Sequence, residues 1–110
     1  MAIQIKQDAP RILADTEGDK RFFSQDGSVI KNLTELTNYF NHIREEVYCY
    51  HVNSEKNDFS NWVRDVFGDK KLATELYPVK SPLEAGKILM DKIAWLQKNR
   101  SQSRRPNNRA

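Results

Sequence analysis

Between Asp58 and Gly68 the chain places Phe59, Trp62, Val63, Val66 and Phe67 at positions i, i+3, i+4, i+7 and i+8. That spacing gathers all five on one face of a helix with 3.6 residues per turn. Asp58 is an N-cap candidate, and Gly68 ends the helix because glycine readily enters the left-handed conformation used at helix C-termini. This is the densest apolar stripe in the sequence, and other segments must cover it. With 110 residues the chain has room for about one domain and one core.

The covering segments are legible. Leu33, Leu36, Phe40 and Ile43 share a face at spacings of three, four and three, which predicts a helix over 33–43. Asn32 caps it, and Glu35 is placed to reach back to the Asn32 backbone N–H in a capping box. Asp69 restarts a short helix with Leu72, Ala73 and Leu76 on one side, and Pro78 stops it. Ser81, Pro82 and Glu84 stand as N-cap, first-turn proline and capping-box partner for a last helix through Ala85, Leu89, Ile93 and Leu96, ending near Lys98. The segment Glu45–Val52 fits strand and helix templates alike; Glu45 and Glu46 suit a helix N-terminus and favour a short helix. Ahead of these, Phe22-Phe23 and Val29-Ile30 flank Asp26-Gly27, a hairpin signature whose apolar side needs helices to pack on. The fold class is therefore mainly α, a small bundle of four to five helices with a short N-terminal β-hairpin. The expected organisation is a flexible lead-in over 1–20, a helical domain over 21–98 and a disordered basic tail over 99–110.

Charge divides unevenly along the chain. The whole carries 18 basic and 15 acidic residues, net +3, yet Lys98, Arg100, Arg104, Arg105 and Arg109 fall in the last thirteen positions, leaving the preceding 97 residues at 13 basic against 15 acidic. The sequence pI of about 9.1 is thus a property of the tail, which removes the simplest argument for a basic DNA-binding face on the body. Apolar runs are a few residues long, far from the roughly 20 that span a bilayer, and Met1–Pro10 lacks the pattern of a signal peptide. One cysteine, Cys49, excludes an intramolecular disulfide framework and points to a reducing, cytoplasmic setting.

The residues Phe22-Phe23, Asp26-Gly27 and Leu33-x-x-Leu36, and above all the run Tyr50-His51-Val52-Asn53-x-Glu55-Lys56-Asn57-Asp58-Phe59-x-x-Trp62-Val63-Arg64-Asp65-Val66-Phe67-Gly68-Asp69, carry a likeness. Over about residues 21–76 the chain resembles an uncharacterised family of small archaeal and bacterial domains with no assigned activity. That resemblance implies no catalytic residues. Arg44 stands where a helix-starting Ser or Asp is expected.

No constellation of residues calls for catalysis, a metal or a cofactor. His42 and His51 lie nine residues apart without the spacing of a ligand set, and His42 falls on the polar side of its helix. Cys49 between Tyr48 and Tyr50 reads as a buried, inert thiol. The four glycines are scattered and form no phosphate loop. The polar residues set among apolar ones from His51 to Asp69 admit two readings. In one, Arg64 and Asp65 project beside exposed edges of His51 and Trp62 as a partner-binding surface. In the other, Asn57, Asp58 and Asp69 cap helices and Arg64 pairs with a carboxylate. The expected function is a non-enzymatic helical interaction module that docks a protein partner or a second copy, through the His51–Asp69 face or the last helix. The alternative is a nucleic-acid-associated protein whose Lys98, Arg100, Arg104, Arg105 and Arg109 bind phosphates without sequence preference. An enzyme would need a deep pocket with His51 facing a carboxylate.

Overall fold

A computed structural model describes residues 12–103, with side chains to residue 99. A 3-10 turn, Gly18–Lys20, leads into a hairpin of β1 (Phe22–Phe23) and β2 (Val29–Ile30). Among the described residues five α-helices follow: α1 (Leu33–Phe40), α2 (Glu45–His51), α3 (Asp58–Trp62), α4 (Lys70–Leu76) and α5 (Pro82–Ser103). A π-helical turn, Val63–Phe67, extends α3 before Gly68 breaks off at φ 73°. The class is the expected one, mainly helical with an N-terminal hairpin.

The strands are antiparallel with Phe22 opposite Ile30 and Phe23 opposite Val29. Successive side chains of a strand point to opposite faces, so Phe22 and Ile30 go into the core while Phe23 and Val29 face outward. The connection is a five-residue loop: Gly27 N–H donates to the Ser24 carbonyl (3.0 Å), Ser24 N–H donates to the Ser28 carbonyl (2.8 Å), and Gly27 alone in it takes a positive φ, 93°. Asp26 Oδ1 accepts from Ser28 N–H (2.9 Å), and that bond holds the Asp26 carboxyl below its ordinary pKa.

Local capping follows the sequence with small displacements. Asn32 Oδ1 accepts from Glu35 N–H (2.7 Å), but Glu35 reaches past Asn32 to accept from Lys31 N–H (2.9 Å). The helix stops at Phe40, three residues short of the expected end, and Ile43 N–H still donates to the Tyr39 carbonyl (2.8 Å). Asn57, not Asp58, caps α3 by accepting from Ser60 N–H (3.0 Å). Asp69 Oδ1 caps α4 through Leu72 N–H (3.0 Å), and the Ser81 hydroxyl accepts from Glu84 N–H (3.5 Å) at the start of α5.

Phe59 stands at the centre of the core. Its ring stacks on Phe22 (4.7 Å between centroids) and Tyr48 (5.6 Å) and meets Phe40 edge-on (4.9 Å). The stripe Phe59, Trp62, Val63 and Phe67 is buried as its spacing requires, with Leu33, Leu36, Leu72, Leu76, Leu89 and Leu96 closing over it. The pairing of α1 with α5 is the most extensive between helices, and Gly86 of α5 faces Phe40 across it, where an added Cβ would lie 3.6 Å from the Phe40 Cβ.

Two segments differ from the flexible ends expected of them. Residues 12–20, the latter half of the lead-in, pack on the body. Ile12 is buried, Thr16 N–H and Oγ1 both donate to the Lys31 carbonyl (2.7 and 3.0 Å), and the Lys20 carbonyl accepts from Trp62 Nε1 (2.8 Å). At the other end α5 continues to Ser103, past the expected boundary at 98. The rest of the lead-in, 1–11, and the tail residues 104–110 lie outside the described residues. No described helix is long and apolar enough to cross a membrane.

Candidate functional site

The four residues expected to form a partner surface separate into two pairs. Arg64 and Asp65 are exposed and bonded to each other, Nε to Oδ1 at 3.0 Å. Arg64 also lines a shallow groove of about 460 Å³ with Lys70, Thr74 and Tyr77. His51 and Trp62, by contrast, are core residues, 5% and 8% exposed, so the exposed edges expected of them do not exist. Trp62 turns inward because its indole N–H finds the Lys20 carbonyl, which relieves the cost of burying that donor. Cys49 also departs from expectation. Val47, Tyr48 and His51 form the inner face of α2, and Cys49 is turned out to the surface as a free thiol.

His51 is the hub of a buried polar network. Gln25 N–H donates to Nε2 (3.0 Å), which leaves the proton of the neutral ring on Nδ1, donating to Asp58 Oδ2 (2.9 Å). Ser24 Oγ lies 3.4 Å from Nε2 and shares a short hydrogen bond with the Tyr39 hydroxyl. Burial raises the Tyr39 pKa. A serine, a histidine and a carboxylate thus stand in the order a hydrolase uses. Two features oppose that chemistry. The base lone pair on Nε2 is already taken by a backbone amide, and both Ser24 and His51 are buried. The ring instead clamps the hairpin loop to α2 and α3, edge-on to Phe22 (5.1 Å) and Phe59 (5.3 Å). Among the described residues no three His, Cys, Asp or Glu side chains converge as metal ligands.

The more open feature is a groove of about 570 Å³ between α4 and α5. Its apolar part is Ile88 and Trp95, two turns apart on α5, and its polar part is Asp69, Lys71, Glu75, Asp91 and Lys92. Trp95 is 44% exposed. At the groove's base Asp69 is pinned by its capping bond to Leu72, so its Oδ2 is fixed toward α5, where Lys92 Nζ approaches to 3.1 Å. The contact is an ion pair without hydrogen-bond alignment, since Oδ2 is buried and has no hydrogen-bond partner. The same ammonium lies 5.1 Å from the Trp95 ring centre, a cation–π distance. At the rim Lys71 pairs with Glu75 (3.2 Å) and Lys87 with Asp91 (3.9 Å).

The last helix was expected as a docking face, but Trp95 was not singled out on it. The signal was present: on a helix whose buried stripe is Ala85, Leu89, Ile93 and Leu96, a tryptophan at 95 falls off the stripe beside Asp91 and Lys92. Of the basic residues proposed for nucleic acid, Lys98 is exposed on α5 and Arg100 falls within that helix; Arg104, Arg105 and Arg109 lie outside the described residues. Compared with known proteins, the chain matches no family model, no curated protein and no solved structure.

Proposed function

We propose that this protein is a non-enzymatic helical interaction module that docks a protein segment in the groove between α4 and α5. The observation that carries this reading is Trp95, a large aromatic left partly in solvent, beside Ile88 and walled by carboxylates on two helices. Aromatic anchors in such concavities dominate the energy of protein interfaces, and surrounding charges set orientation and partner choice. The His51 network supports the non-enzymatic half of the reading, because its potential base is bonded to backbone and its serine is enclosed.

The test is selection of a displayed library of random peptides on the immobilised full-length chain, with Trp95→Ala in parallel. Peptides that enrich on the parent and lose binding about tenfold or more on Trp95→Ala bear the proposal out, that loss being the usual mark of an anchor residue. Absence of enrichment, or enrichment indifferent to Trp95, overturns it.

A further inference from the structure

Resting on that reading, we propose that the α4–α5 groove takes the segment Arg104–Arg109 of a second copy of this chain. The groove's own cations are already engaged, Lys71 by Glu75 and Lys92 by Asp69, and its lining holds three carboxylates against two lysines. Asp91 is the carboxylate open to a newcomer, because its pairing with Lys87 stretches to 3.9 Å with both side chains about three-quarters exposed. Asp69 lies deeper, its side chain only 7% exposed and its Oδ2 buried against Lys92, so it neutralises that lysine and leaves Asp91 to meet the newcomer.

The segment Arg104-Arg105-Pro106-Asn107-Asn108-Arg109 matches this lining chemically. A guanidinium stacks on an indole face and pairs with carboxylates through a planar fork, and Trp95 already holds one cation, Lys92, at 5.1 Å. Proline fixes φ and biases the preceding residue toward extended backbone, which reduces the conformational freedom lost on docking. Charge on the larger scale agrees: five basic residues lie after Gln97, and the preceding part is net acidic.

Reach points the Arg104-Arg105 pair to another copy. With α5 running to Ser103, residue 103 lies ~12 Å along the axis from Trp95 and ~18 Å from Asp91 at 1.5 Å per residue. Two residues of chain cover at most ~7 Å, short of both distances, whereas the six residues to Arg109 cover up to ~20 Å, so one chain cannot bring the Arg104-Arg105 pair and Arg109 together onto its own Asp91. A neighbouring copy presents all three arginines without that restriction.

The test is sedimentation velocity of the full-length chain over a range of concentrations at about 50 mM and about 500 mM salt, read at 260 and 280 nm. The proposal expects concentration-dependent association at low salt that weakens at high salt. It expects that association to vanish in the Arg104→Ser, Arg105→Ser, Arg109→Ser variant and to weaken about tenfold in Trp95→Ala. Asp91→Lys should also abolish it, and combining Asp91→Lys with Arg104→Glu, Arg105→Glu and Arg109→Glu should restore it, a rescue that a folding defect does not give. A monomer at every concentration overturns the proposal, as does association that ignores the arginines. Nucleic acid that co-sediments with monomer and leaves at high salt also overturns it, by giving the arginines a different partner. Trp95-dependent library peptides alongside a strictly monomeric chain would leave the docking function standing and remove only the self-docking partner.

Discussion

Replacing His51 with alanine should cost about 3–5 kcal/mol of folding stability, the range expected when a buried ring and its hydrogen bonds are both removed. The ring is enclosed by Phe22 and Phe59, so its removal leaves a cavity between the hairpin and α3. It also leaves Gln25 N–H, a partly buried amide, without its acceptor, at the lower end of the roughly 1–3 kcal/mol of a buried orphan. Asp58 loses its Nδ1 donor but keeps Lys56, whose Nζ lies 3.1 Å away, so that end is partly compensated. Small domains have a total stability of roughly 5–15 kcal/mol, and the variant should therefore unfold at markedly lower denaturant. Urea unfolding of parent and variant gives the difference, and amide exchange at Gln25 tests its origin, since that N–H should lose protection disproportionately. His51→Gln supplies an acceptor without the ring and should recover roughly 1 kcal/mol, the net value of one hydrogen bond. A His51→Ala chain within about 1 kcal/mol of the parent, with Gln25 as protected as before, would refute the clamp.

Asn57→Ala removes the α3 cap together with the donors to the Leu76 (3.0 Å) and Tyr77 (3.3 Å) carbonyls, and should cost about 2–4 kcal/mol in urea unfolding. Asn57→Asp keeps the capping oxygen but points a carboxylate at those carbonyls, so it should rescue little. Burial pushes the Tyr48 hydroxyl, which donates to the Val79 carbonyl (3.0 Å), up to about 12 from 10.0. The neutral phenol's contribution is fully present below pH 10, and as the pH rises to about 12 the unfolded chain ionises first, removing at most about 2 kcal/mol. A Tyr48→Phe chain should lack that part of the alkaline loss when both are followed by denaturant titration. Gly86→Ala places its Cβ at ordinary contact distance from Phe40, and the gain in helix propensity should stabilise the chain by about 0.5–1 kcal/mol in thermal unfolding.

What could be read from the sequence was what local chemistry decides. Asn32, Asp69 and Ser81 act at helix starts because their side chains satisfy an amide three residues on, a relation contained in four consecutive residues. The stripe from Phe59 to Phe67 was legible because burial repeats with the helical period, although its second half is a π turn that periodicity alone does not distinguish. His51 was misread as surface because its partners, Gln25 and Asp58, come from a hairpin loop and from a helix start beyond a tight loop. A polar residue among apolar ones announces a hydrogen-bonded core position and a binding surface in the same way until the partners are known. Cys49 was misplaced for a related reason: α2 has apolar or aromatic residues on every side over only seven positions, and the inward face was settled by packing on Phe40 and Phe59, not by pattern. The groove was partly legible, since α5 and its buried stripe followed from the sequence. Its depth depends on how α4 lies against α5, a relation between helices separated by Tyr77–Ser81.

The most direct measurement is the ¹H–¹⁵N spectrum of the labelled full-length chain while the strongest library-selected peptide is titrated in. The two tryptophans supply a site and its internal control, for Trp95 lines the groove while the Trp62 indole is held by the Lys20 carbonyl. Docking between α4 and α5 should shift the Trp95 indole N–H signal saturably and leave the Trp62 signal in place. A titration that saturates with Trp95 unmoved, or that moves Trp62 instead, would contradict docking between α4 and α5.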